Sequence, residues 1–252
     1  MAFQLEPLAV AVPGLRAVRS RGDELFVGLK ESLTITRVEE GRARFWTRGR
    51  EWEASRGAIV IQQAGDVHRE LSRDGFVTYQ VLRVSPHHVG ELPSDVRLRS
   101  YLGDGDARAT ALHRLHDAIA AGADRFALEC ALAEAIGAMA ALGEDRFLHT
   151  RPVRRALAMI REQLADTLTL DELARHAGLD KFHLCRAFRA QIGMPPHAYL
   201  TQLRIMRAKE LLAAGAKPHD VATQVGLYDQ SQLNRHFRRI VGMTPGQFAR
   251  SS

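Results

Sequence analysis

A duplicated stretch constrains what this chain can fold into more than any other feature. LCRAFRAQIGMPPHAY, starting at Leu184, and LNRHFRRIVGMTPGQF, starting at Leu233, share Leu, Arg, Phe, Arg, Gly, Met and the second Pro at an offset of 49. Upstream, Ala174-x-x-x-Gly178-Leu179 matches Ala222-x-x-x-Gly226-Leu227 at an offset of 48, so the second copy has one extra residue in its turn. A short first helix with a small alanine for close packing, a glycine in the turn and a longer second helix make up a helix-turn-helix unit. Leu184 and Phe188, like Leu233 and Phe237, stand four apart and must face a core, which leaves the other faces free. The two units are read at about 170–192 and 218–241, with Pro196 to about Ala213 as one amphipathic helix between them. At about 1.5 Å per residue such a helix spans roughly 30 Å, close to the roughly 34 Å between successive major-groove faces of duplex DNA.

Helix-end chemistry agrees. Thr169 and Glu172 have the spacing of a capping box, with Leu168 and Leu173 placed as its hydrophobic staple. Asp180 and Asp229 are read as caps of two later helices, and Pro195-Pro196 and Pro218 as openers of others.

Charge points the same way once the chain is divided. Residues 151–252 carry 16 Lys+Arg against 8 Asp+Glu, whereas residues 1–150 carry 19 against 21, so the whole excess of +6 resides in the C-terminal part. That asymmetry is the footprint of a polyanion partner on one domain. Arg186, Gln230, Asn234 and Arg235 are therefore read as base-reading residues, since Arg pairs with guanine and Gln or Asn with adenine edges. Phe182 can meet a thymine methyl, and Lys181, Arg189, Ser231 and Arg238 are assigned to phosphates.

Before residue 150 the pattern differs. SLTITRV (32–38), RARFW (42–46), AIVIQQ (58–63) and FVTYQVLRV (76–84) are short strands separated by Gly-containing breaks, as in an antiparallel sandwich or small barrel. After Pro93 the period becomes helical, with helices at about 106–121 and 124–142. Leu128, Leu132, Ala135 and Met139 on the second are candidates for a dimer contact, with packing inside their own domain as the alternative. The expected organisation is a first domain at 1–145, a linker at 146–152 and an all-helical domain at 153–252. The overall class is α+β.

Several classes are disfavoured. Cys130 and Cys185 are too few for a disulfide framework or a four-ligand zinc site, which fits a reducing cytoplasm. No apolar run reaches the roughly 18 residues of a spanning helix, and the N-terminus lacks the basic segment of a signal peptide, so no membrane association is expected. A DNA-repair alkyl acceptor would need an activated Cys, and Cys130 lies on an Ala-rich helix.

Residues from about 150 to 250 resemble the DNA-binding domain of the AraC/XylS family of bacterial regulators. LTLDELARHAGL (168–179) and DQSQLNRHFRRIVGMTPGQF (229–248) carry that resemblance. It places Phe182, Cys185 and Arg186, and Gln230, Ser231, Asn234 and Arg235, at base-facing positions. Two residues depart from the family pattern. Cys185 replaces a longer polar side chain, and Tyr228 stands where a small capping residue is usual, so that Asp229 is expected to shift the second helix's cap by one residue.

Residues 41–71, ending in Gly65-Asp66-Val67-His68, resemble the family's cupin-like sensor barrel, which is commonly followed by two helices. The resemblance implies a small-molecule effector, homodimerisation, promoter DNA and RNA polymerase as partners, and the role of an activator. The alternative is an effector-independent architectural or repressor-type protein whose barrel serves only dimerisation. His68 is the leading effector contact, with Trp46, Trp52, Tyr79 and Arg83 as pocket walls. The His-x-His pair of metal-binding cupins is missing, Gly28-Leu29-Lys30-Glu31 standing where it is expected. His113 and His116 lie on a helix read as exposed. Neither enzyme activity nor a metal or other cofactor is expected.

Overall fold

The computed structural model describes residues 4–90, 98–142 and 149–251. The chain divides into two compact units, Met1–Phe147 and Leu148–Ser252. Of the linker read at 146–152, residues 146–148 lie outside the described residues, and a helix already begins at Arg151.

In the first unit, alternation of apolar and polar residues builds two facing antiparallel sheets. One contains, in spatial order, β1 (Gln4–Leu8), β2 (Leu15–Gly22), β9 (Val77–Val84), β4 (Leu33–Glu40), β7 (Ile59–Gln62) and β10 (Tyr101–Leu102). The other contains β3 (Val27–Leu29), β8 (Val67–Arg73), β5 (Arg42–Thr47) and β6 (Arg50–Ser55). Arg48 and Gly49, both at positive φ (49° and 79°), form the two-residue turn between β5 and β6. Arg48 is the one non-glycine residue at positive φ among the described residues, and a buried network holds it there. Its guanidinium donates to both Asp66 carboxylate oxygens at 2.6–3.0 Å, to Leu98 O at 2.5 Å and to Gln63 Oε1 at 2.7 Å.

Two helices, α1 (Thr110–Ala120) and α2 (Arg125–Ala141), pack on the outer face of the six-stranded sheet. Leu112, Leu115 and Ile119 join Ile35, Ile61 and Leu82 in one core. Leu128, Leu132, Ala135 and Met139 belong to that same core, each 3% exposed or less. The reading of these four as dimer contacts is therefore corrected. They are consumed inside their own unit, and a partner cannot reach them. His116 is corrected too, for it is fully buried and its Nδ1 lies 3.0 Å from Gln80 Oε1, fastening α1 to β9.

The second unit is all helical: α3 (Arg151–Glu162), α4 (Leu170–Ala177), α5 (Lys181–Ile192), α6 (Pro196–Ala213), α7 (Pro218–Gln224), α8 (Gln230–Val241) and α9 (Pro245–Ser251). Thr169 and Glu172 form the capping box at α4. Asp180 accepts from the amides of Phe182 and His183, and Asp229 from that of Gln232. These caps are themselves 49 residues apart, so the second cap is not shifted. Tyr228 is the extra residue of the longer turn, pushed out to 89% exposure, rather than a replaced cap.

Leu184, Phe188, Leu233 and Phe237 are all fully buried. Phe188 meets Tyr199 of α6 edge-on at 5.7 Å, and Phe237 meets Phe248 of α9 at 5.5 Å. A second tie binds the halves. The turn after α3 is gripped by Arg204 of α6, which donates to Leu164 O and Asp166 O at 2.8 Å each. The turn of the second helix-turn-helix abuts it, so that a Cβ on Gly226 (φ +74°) would lie 2.4 Å from Ala165 O.

Gly178 occupies the equivalent turn at φ +76° but has only Arg155 Nη1 near, at 3.9 Å. In urea unfolding, Gly178→Ala is expected to cost about 1–2 kcal/mol from left-handed strain alone. Gly226→Ala should cost at least about 2 kcal/mol more, because backbone must move as well. Equal costs would show that the contact with Ala165 contributes nothing.

Candidate nucleic-acid interface and effector cavity

On α5 and α8 the buried Leu and Phe turn a polar face outward. Lys181, Phe182, Arg186 and Arg189 are exposed on the first, and Gln230, Ser231, Asn234, Arg235 and Arg238 on the second. Phe182 is 70% exposed, an apolar ring facing solvent at the start of its helix. Cys185 is half-buried and lines a small apolar recess with Leu173, Pro196 and Leu200, so its thiol faces packing atoms. The structure thus places it at the border between the core and the face read as base-contacting.

The charges on these faces are uncompensated, which no total of residues could show. In the first unit Arg19, Arg37, Arg42, Arg44, Arg48 and Arg73 each have a carboxylate partner. Among the described residues Arg186, Arg189, Asn234, Arg235 and Arg238 make no side-chain hydrogen bond or ion pair. Lys181 is the exception, 3.4 Å from Asp171. Asn234, Arg235, Arg238 and Arg239 together wall a shallow surface concavity.

The first unit holds a cavity of about 270 Å³ between its sheets, open to solvent on one side. Strand alternation aims Val18, Ser20, Thr36, Val60, Gln62, Tyr79, Val81 and Arg83 into it from one sheet, and Phe45, Ala54, His68 and Glu70 from the other. His68, Tyr79 and Arg83 thus come together, whereas Trp46 and Trp52 do not line it. Trp46 follows Phe45 and so points to the opposite face, under the Arg69 guanidinium, while Trp52 stacks on Tyr101 at 4.9 Å.

Hydrogen bonds fix the polar wall. Gln62 Nε2 lies 2.8 Å from His68 Nδ1, so with the amide donating, the ring carries its proton on Nε2, 3.9 Å from Glu70 Oε1. Phe45 stacks on the imidazole at 5.4 Å. Glu70 accepts from Phe26 N at 2.8 Å and from Arg73 Nη2 at 2.6 Å. Burial, reinforced by the charges of Lys30 and Arg73, lowers His68 from 6.5 to about 4 despite Glu70. Burial pushes Glu70 upward, but its bonds with His68, Phe26 and Arg73 prevail and bring it to about 2. At neutral pH the pair is neutral imidazole beside carboxylate. Among the described residues no group of three or more His, Cys, Asp or Glu is placed to hold a metal, and no helix is long and apolar enough to cross a membrane.

Comparison with known proteins covers both units. A family model described as an AraC-like ligand binding domain matches residues 27–136, and one for a helix-turn-helix domain matches 173–251. AarP, an HTH-type transcriptional activator of Providencia stuartii, is 32% identical over 97 residues, which are 38% of this chain and 72% of AarP. YbfI, an uncharacterized HTH-type transcriptional regulator of Bacillus subtilis (strain 168), is 39% identical over 81 residues, 32% of this chain. That match spans only 30% of YbfI's own length. The fold of the whole chain is similar to that of unsaturated fatty acid bound ToxT from Vibrio cholerae, with a TM-score of 0.50, 11% identity and coverage of 96% and 97% of the two chains.

His68 makes folding sensitive to acid. Its folded value lies below its unfolded one, so between pH 6.5 and about 4 the unfolded chain binds the proton that the folded one refuses, and stability falls as pH falls. Thermal melting across this range should show His68→Gln losing about one proton of linkage relative to wild type. His116, buried and also lowered, leaves a residual slope in both proteins. An unchanged slope would show that His68 is protonated in the fold.

Proposed function

The chain belongs to the AraC family of transcription regulators, with a ligand binding domain and a helix-turn-helix DNA-binding domain, and on that premise we propose that it is a sequence-specific, effector-controlled activator. The observation that carries this reading is the pair of core-locked, capped helices whose outward Arg and Asn side chains lack protein partners. Leaving such groups unpaired gains nothing for the fold, whereas base edges and phosphates supply their missing acceptors.

In the proposed division of labour, Arg186, Gln230, Asn234 and Arg235 read base edges, and Phe182 meets a thymine methyl. Arg189, Ser231, Arg238 and Lys181 fix register on phosphates, with Asp171 exchanged for phosphate at Lys181. Cys185, by its packing, is left out of the reading set. An effector in the cavity biases two states of the protein by differential affinity. The role of activator is supported by AarP's name, and RNA polymerase is its proposed target. A homodimer, if formed, must use surfaces other than the buried face of α2.

The experiment is recovery of genomic fragments bound by the protein, then titration of one site across a salt series. Arg235→Ala should weaken that site by about 1–3 kcal/mol, roughly 5- to 150-fold, and relax preference at one base position. Arg238→Ala should weaken all sequences alike and reduce the salt slope by about one. Uniform weak binding that Arg235→Ala leaves unchanged would replace this reading with an architectural one.

A further inference from the structure

Lys30 and Arg83 stand out in the cavity as cations beside a Glu70 and an Arg73 that pair with each other. They approach from facing sheets, Lys30 just after β3 and Arg83 near the end of β9. Val18, Phe45, Ala54, Val60 and Val81 supply an apolar part of the lining, beside the polar Ser20, Thr36, Gln62 and His68. Among the described residues neither cation has a hydrogen-bonding or ion-pair partner; Lys30 Nζ meets only the Phe26 ring, 5.2 Å from its centroid. The nearby carboxylates are otherwise engaged. Glu70 is held by Arg73 and Phe26 N, Asp66 by Arg48, and Glu24 is exposed to water.

Lys30, half-buried at the cavity with a second cation facing it, is costly for the empty protein, and the pair is complementary to one kind of guest. Burial and the neighbouring Arg83 charge pull Lys30 from 10.5 to about 8, the strain a bound anion would relieve. Leu5, Leu25 and Phe26, 47–59% exposed, extend the apolar lining outward at the rim. A volume of about 270 Å³ is slightly below the roughly 300–1,000 Å³ of drug-sized sites and suits a small molecule.

We propose that the effector is an apolar monocarboxylate, its carboxylate bound between Lys30 and Arg83 and its hydrocarbon body among Phe45, Val60, Tyr79 and Val81. This rests on the reading of the first unit as a sensor and names the chemistry sensed. A neutral sugar would leave both cations unpaired. An alkylamine would add a third positive charge.

The full-length protein is titrated calorimetrically with 4-phenylbutanoate, 4-phenylbutanol, 4-phenylbutylamine and glucose, in parallel with melting temperatures. The carboxylate should bind at least tenfold more tightly than the alcohol, with the amine and glucose weaker still. Arg83→Gln, at an exposed position, should weaken the carboxylate about tenfold and leave the alcohol unchanged. Lys30→Met should do the same and also raise the melting temperature of the ligand-free protein, a readout independent of any guest. Alcohol, amine or glucose binding as well as the carboxylate would overturn the proposed class while leaving a sensor in place. No binding by any of the four, with Lys30→Met no more stable, would overturn the class and remove support for the sensor reading as well.

Discussion

Burial of a leucine and a phenylalanine four residues apart, once in each repeat, sets the rotation of both exposed helices. Each such side chain contributes about 1.5–3 kcal/mol when removed from water, so turning either helix by one position would forfeit most of that and expose both groups. The caps at Asp180 and Asp229 fix the other coordinate, where each helix starts. With rotation and start determined by groups that never touch a partner, the outward residues have no freedom about which way they face. The extra residue of the second turn is absorbed by expelling Tyr228, and the two helices keep equivalent starts.

The β-sheets solve a different problem with the same economy. Along β9, Tyr79, Val81 and Arg83 face the cavity, while Gln80, Leu82 and Val84 meet the helical layer. One strand therefore serves both a packed core and a cavity. Glu70 is satisfied within its own neighbourhood by Arg73 and Phe26, and Asp66 by Arg48. That internal pairing is what leaves Lys30 and Arg83 as the surplus.

What could be read beforehand follows the range of the interactions. The repeat, the capping box at Thr169 and the outward faces of α5 and α8 depend on residues a few places apart, and spacing alone reveals them. The dimer reading of Leu128, Leu132, Ala135 and Met139 failed because helical periodicity reports an apolar face but not whose atoms cover it. His116 was misplaced for a related reason: its partner Gln80 is 36 residues away, and polarity suggested solvent. Trp46 and Phe45 are adjacent on a strand, and only the register of β5 decides which enters the cavity. Lys30 lay in a stretch noted for the histidines it lacks, and its significance depends on a second cation arriving from β9.

The turn after α3, held by Arg204 and braced against the glycine of the second helix-turn-helix turn, ties the two exposed helices through more than the span of α6. Such bracing removes compliance between them. If both helices enter one duplex, as proposed, an operator has to supply its two recognition sequences at one separation and one angular phase, since each inserted base pair of B-DNA displaces the distal sequence by about 3.4 Å and rotates it by roughly a tenth of a turn. On that proposal, mismatch is taken up by bending or twisting the duplex, and the bases between the two contacted segments are selected for deformability without being touched.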